Sequence, residues 1–132
     1  MEIIDIAGEP DYQDLLDAWI GKAEGFLLVF ALDNYESFTN LKGIYQRICK
    51  NEKRDYPIVL VGNKCELPEN ERKVSKNKAK KLAKSWGVEY FEVSSKTDCN
   101  GNIKLVFENI TKKILDKRMS VNLPRKYLCN II

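Results

Sequence analysis

Asp5-Ile6-Ala7-Gly8, Asn63-Lys64-Cys65-Glu66 and Ser94-Ser95-Lys96 are polar clusters that begin where short apolar runs stop. An aspartate closing a strand can hold Mg2+, usually through a water, and a glycine three residues on lets a backbone N–H approach a phosphate. By itself that four-residue pattern is common, and so is a Ser-Ser-Lys tripeptide. Asn63-Lys64-Cys65-Glu66 says more. A loop made only to turn the chain has little reason to set an amide, an ammonium on a long stem and a carboxylate in that order.

The rest of the composition narrows the chemistry. The chain has 132 residues, enough for one domain with a real core. With 44% hydrophobic and 31% charged residues it is neither disordered nor collagen-like. A net charge of +3, from 22 basic and 19 acidic residues, is too small to imply nucleic-acid binding. No histidine is present and Cys49, Cys65, Cys99 and Cys129 are far apart. A Cys–His zinc site and a histidine-based triad are therefore excluded, and reduced thiols are expected rather than a disulfide scaffold. Met1 to Asp5 lacks the features of a signal peptide, and the longest apolar run, Phe26 to Leu32, is too short to span a bilayer. A cytosolic protein is expected.

Elements that could position the clusters follow from the patterning. Glu2 to Ile6, Gly25 to Leu32, Pro57 to Gly62 and Glu89 to Ser94 read as strands, the second apolar almost throughout, as a strand buried on both faces must be. Between them, Asp14 to Lys22 reads as a short helix. Phe38, Leu41, Tyr45 and Ile48 form a helical stripe that opens near a capping box at Asp33 and Glu36. Ala79, Leu82, Ala83 and Trp86 form a second stripe, ended by Gly87. Ile103, Val106, Phe107, Ile110 and Ile114 form a third. The alternation predicts an α/β fold with a mostly parallel sheet, whose ligand sites lie beyond the carboxyl ends of the strands. The basic stretch from Arg72 to Lys84 reads as the solvated face of the second stripe's helix. Residues 119–132 lose periodicity around Pro124 and are expected to form a flexible tail after a domain at 1–118.

In order and spacing the clusters resemble the Ras-type small GTPases. Asn63-Lys64-Cys65-Glu66 resembles their N-K-x-D element and Ser94-Ser95-Lys96 their S-A-K element. Asp5 to Tyr12 resembles the switch II opening D-T-A-G-Q-E-E-Y. The likeness runs from Glu2 to about Lys117. It implies a partial P-loop NTPase-like, three-layer fold that binds GTP or GDP with Mg2+. Asn63 would contact the purine and Lys64 would lie along the base. Glu66 would accept two hydrogen bonds from guanine, a pairing that adenine cannot match. The backbone N–H of Ser95, between Ser94 and Lys96, would donate to the guanine carbonyl, so its side chain should matter little. Asp5, through water, and Gly8 would serve the Mg2+ and phosphate side. The implied partners are exchange factors, activating proteins and effectors, with no nucleic acid and a monomeric state.

Departures from the pattern qualify the activity. Glu9 stands where the family has the glutamine that orients the attacking water; a carboxylate cannot donate to the phosphoryl group and repels it. Glu66 is one methylene longer than the family's aspartate. The phosphate-binding loop G-x-x-x-x-G-K-[ST] and switch I occur nowhere in the 132 residues. The resemblance thus implies an N-terminally incomplete switch with weak nucleotide and Mg2+ binding and no hydrolysis of its own. It also implies a sheet whose central first strand is missing between the strands at 2–6 and 25–32, leaving unpaired edges. The alternative is a non-enzymatic, membrane-tethered interaction module. Cys129-Asn130-Ile131-Ile132 fits a prenylation box, geranylgeranyl by its terminal isoleucine, although Asn130 is not aliphatic. The expected location is then the inner face of the plasma membrane or an endomembrane.

Overall fold

The structure is a computed structural model that describes residues 2–6, 13–50, 55–97, 101–121 and 127–131, the last by its backbone. In chain order the elements are β1 (Ile3–Ile6), α1 (Gln13–Ile20), β2 (Ala23–Ala31), α2 (Tyr35–Cys49), β3 (Ile58–Asn63), a 3-10 turn (Glu69–Glu71), α3 (Lys76–Trp86), β4 (Glu89–Val93), α4 (Asn102–Val121) and β5 (Tyr127–Ile131). All five strands join one sheet in the order β1-β5-β2-β3-β4. Each neighbouring pair runs parallel.

Alternation along β2 and β3 divides the core in two. Phe26, Leu28 and Phe30 of β2, with Ile58 and Leu60 of β3, face Phe38, Leu41 and Ile48 of α2 and Ala79 and Ala83 of α3. Leu27, Val59 and Val61, one residue out of phase, face Val106, Ile110 and Ile114 of α4. Both faces of the central strands are covered, which is why their sequences are apolar without interruption. The predicted stripes are these contact faces. Gly87 ends α3 in the left-handed conformation at φ 67°, as its place in the sequence implied.

Two expectations change. The cap of α2 is Asn34, whose side chain accepts from Ser37 N–H; Asp33 is thereby released for another task. The end of the chain is also more ordered than a flexible tail from residue 119 would be. Helix α4 continues to Val121, and Tyr127–Ile131 is a strand. That strand lies between β1 and β2, with Cys129 opposite Ile4 on one side and Phe26 on the other. The slot expected to stand open holds a parallel strand from the opposite end of the chain. An α/β fold with a mostly parallel sheet is present, and its central position is filled by β5.

Candidate functional site

Because β2, β3 and β4 run parallel, the segments that follow them emerge at one edge of the sheet. Asn63 closes β3 and Ser94 follows β4 directly. Asn63 Oδ1 accepts from the backbone N–H of Lys64 at 2.8 Å and from that of Ser95 at 3.1 Å. Its Nδ2 donates to Ser95 Oγ at 3.2 Å. One amide therefore ties the two loops together. The backbone adds a further tie from Cys65 N–H to Val93 O at 2.9 Å.

Lys64 adopts φ 72°, an uncommon conformation for a side chain with a Cβ, held by the Asn63 bond at its own N–H. Its Nζ meets Asp33 Oδ2, just beyond β2, at 2.7 Å. The other Asp33 oxygen is buried and has no hydrogen-bond partner among the described residues. Sequence reasoning gave Asp33 to the α2 cap and so missed it here. The signal available was its place at the end of the buried run in β2, level with the other clusters.

Glu66 is exposed at the same edge. The hydroxyl of buried Ser94 beside it, and its own backbone N–H, hold its pKa below the usual glutamate value, with Lys96 and Lys64 adding smaller electrostatic help. Glu66 is thus an acceptor-only carboxylate at neutral pH. A depressed native pKa contributes stability that is present above the unfolded value and lost as pH falls through the native one. NMR titration of the Glu66 side chain should give a midpoint below that of a glutamate peptide, and Ser94→Ala should move it upward.

Arg72 was grouped with the solvated basic stretch, and its position corrects this. It turns inward and donates to Cys65 O at 2.8 Å and Leu67 O at 3.2 Å, and its Nη1 pairs with Glu92 at 3.2 Å. It braces the loop after Asn63 from below. Ser95 also departs from expectation. Its hydroxyl is engaged by Asn63, and its N–H already donates to Asn63, so a ligand carbonyl would have to share or replace that bond.

Gly62 lets β3 and β4 approach. A Cβ there would lie 2.7 Å from the Tyr90 hydroxyl and 3.2 Å from Phe30 Cζ. Tyr90 donates to Glu92 Oε1 at 3.0 Å, the residue that pairs with Arg72, so displacing it disturbs the brace. Gly62→Ala should destabilise the protein by about 1–3 kcal/mol, measured by urea unfolding; an unchanged midpoint would count against the brace.

Asp5 lies exposed near the end of β1, opposite Asn130 in register. Gly8 and Glu9 lie outside the described residues. Among the described residues no group of three or more carboxylate, cysteine or histidine side chains could hold a metal ion. A single carboxylate suits Mg2+ only where phosphates and waters supply the remaining oxygens.

Comparison with known proteins matches this arrangement to a group. The sequence model of the Ras family matches residues 1–116. Ras-related protein ralB-A of Xenopus laevis is 39% identical over 124 residues, covering 92% of this chain and 59% of that relative. Ras-related protein Ral-B of Mus musculus and Ras-related protein O-RAL of Diplobatis ommata are likewise 39% identical, with the same coverage. The chain thus spans 59% of the length of these curated relatives.

Proposed function

The chain belongs to the Ras family, and on that premise we propose that it carries the base-reading part of a GTP/GDP switch in membrane-associated signalling. The observation that carries this reading is the convergence of Asn63 with Ser95 and of Glu66 with Ser94 at one edge of the sheet. Asn63 Nδ2 spends one hydrogen on Ser95 and keeps a second donor for a purine nitrogen. Glu66 offers two carboxylate oxygens to the N1–H and exocyclic amine of guanine. The Lys64 stem lies between Asp33 and the loop, where it can flank the base. Ser94 holds Glu66, and Lys96 adds positive potential beside it.

Asp5 fits an outer ligand of nucleotide-bound Mg2+, which when bound would neutralise phosphate charge. Glu9 in the water-orienting position makes hydrolysis slow, and no turnover of GTP above the no-enzyme blank is expected from this chain. Regulators and effectors are the partners that this reading implies. Cys129 is the proposed prenyl acceptor, and Cys129→Ser should release the protein from membranes. Because Cys129 lies in register between β1 and β2, its modification requires β5 to leave the sheet.

The test of base reading is an amide chemical-shift titration. Guanosine and GDP should perturb Asn63 to Glu66 and Ser94 to Lys96, and adenosine should not. Equal shifts with adenosine, or none with either, would refute the reading. Strand β5 in the central slot favours a second one, a non-enzymatic, membrane-tethered interaction module that binds partners without nucleotide. It gains support if guanosine leaves those amides unmoved while the sheet remains folded.

A further inference from the structure

Helix α3 concentrates the charge of the chain. Its sequence holds Lys76, Lys78, Lys80, Lys81 and Lys84 and no acidic residue, and all five lysines are exposed. The helix takes five of the 22 basic residues and none of the 19 acidic ones, so the remainder carries 17 against 19. The small positive net charge of the protein is therefore the charge of one helix set on a slightly negative body.

That helix is anchored from within. Ala79 and Ala83 are buried in the core, the Ser75 side chain caps its start and Gly87 its end. About the packed stripe of Ala79, Leu82, Ala83 and Trp86, Lys80, Lys81 and Lys84 lie on the opposite side, with Lys76 and Lys78 on the flanks. Among the described residues none of the five makes an ion pair with a carboxylate. Lys78 instead donates to the Tyr35 hydroxyl at 2.9 Å and lies over its ring, which leaves its charge uncompensated. The acids nearest in sequence are Glu71, in the 3-10 turn before the helix, and Glu89 after it, whose carboxylate pairs with Lys113 of α4 at 2.8 Å. Neither acid pairs with an α3 lysine, and the second half of the helix lies near the amino ends of the strands, away from the Asn63 edge.

We propose that the outer face of α3 docks on an anionic lipid surface. The face is a convex row about 12 Å long made of lysines, compact point charges without the planar fork that reads one carboxylate or phosphate. A flat array of lipid headgroups needs only such charges. It also touches one side of the molecule, whereas a polyanion that wraps would meet the net-negative remainder. Among the described residues no helix is long and apolar enough to cross a membrane, so the contact is peripheral. This inference is independent of Cys129, because it holds for protein without lipid.

Flotation of the unlipidated full chain with vesicles tests it. Vesicles of phosphatidylcholine containing about a third phosphatidylserine should carry the protein at low salt and release it near 0.5 M NaCl, where charges are screened within a few ångströms. Vesicles of phosphatidylcholine alone should carry none. The triple change Lys80→Gln, Lys81→Gln, Lys84→Gln should lower partitioning about a hundred-fold, and the matching Glu changes further still. These exposed positions leave the core untouched, and unchanged circular dichroism would confirm that. No binding to the phosphatidylserine vesicles overturns the proposal. So does equal binding to phosphatidylcholine, equal binding by the triple variants, or tighter α3-dependent binding to poly-glutamate or RNA.

Discussion

Asn63→Ala is expected to abolish detectable guanosine binding and to loosen both loops at once, whereas Glu66→Gln should remove only the choice of base. The first expectation rests on the three bonds that the Asn63 amide makes, to the N–H of Lys64, the N–H of Ser95 and Oγ of Ser95. Removing the amide strands two backbone donors, at roughly 1–3 kcal/mol for each that stays buried. It also leaves Lys64 at φ 72° without the bond that holds it there. Amide exchange of residues 64–67 and 95–97 should therefore accelerate, and the guanosine titration should go flat. Glu66 is exposed, and the Ser94 hydroxyl is the main influence lowering its pKa. Replacing its carboxylate by an amide trades one of two acceptors for a donor, which meets guanine N1–H or amine with a clash of like polarity. Selectivity for guanosine over adenosine should fall by about 100-fold or more, with little change in thermal stability. If Asn63→Ala binds guanosine like the parent, or Glu66→Gln keeps the preference, the proposed base contacts are wrong.

The contrast between these variants shows what the chain made readable in advance. Asn63, Glu66 and Ser94 could be picked out because each follows a strand whose apolar run marks its end, and because parallel strands deliver their ends to one edge. The bracing could not be read the same way. Asp33 resembles a helix cap, and only the observed choice of Asn34 frees it to meet Lys64. Arg72 belongs by sequence to a lysine-rich stretch. Its inward turn depends on Glu92, twenty residues later, and on carbonyls that only the folded loop presents. Ser95 looked replaceable because a backbone contact does not depend on a side chain. Its hydroxyl matters through Asn63, a pairing across 32 residues of chain that no local pattern encodes.

Sheet order has the same limitation. Helical and strand periods are local, so the core faces of α2, α3 and α4 and the two-sided burial of β2 were legible from spacing. Which strand fills the position between β1 and β2 is a matter of long-range pairing. The sequence from residue 119 onward, broken by Pro124, gave no period from which to foresee it. Its Tyr127 to Ile131 stretch is short and carries Asn130, yet the slot requires only a parallel backbone that can bond on both sides.

That requirement makes β5 the place where a single change should have the largest effect on the fold. β1 joins the sheet through β5, since the order is β1-β5-β2. A proline at position 130, which is in register with Asp5 on one side and Leu27 on the other, places a ring without an N–H inside a strand flanked on both sides, where proline is not accommodated. Each backbone group left buried without a partner costs about 1–3 kcal/mol, a large share of the roughly 5–15 kcal/mol that holds a domain together. Asn130→Pro should therefore release β5, and β1 with it. Hydrogen exchange at Ile3 to Ile6 should become fast while the amides of β3 and β4, paired with each other through Val59 to Asn63 and Glu89 to Val93, stay protected. Deleting residues 127–132 should give the same pattern and add self-association through the exposed edges of β1 and β2. Should Ile3 to Ile6 remain protected in both variants, β5 does not hold β1, and the central slot is filled some other way.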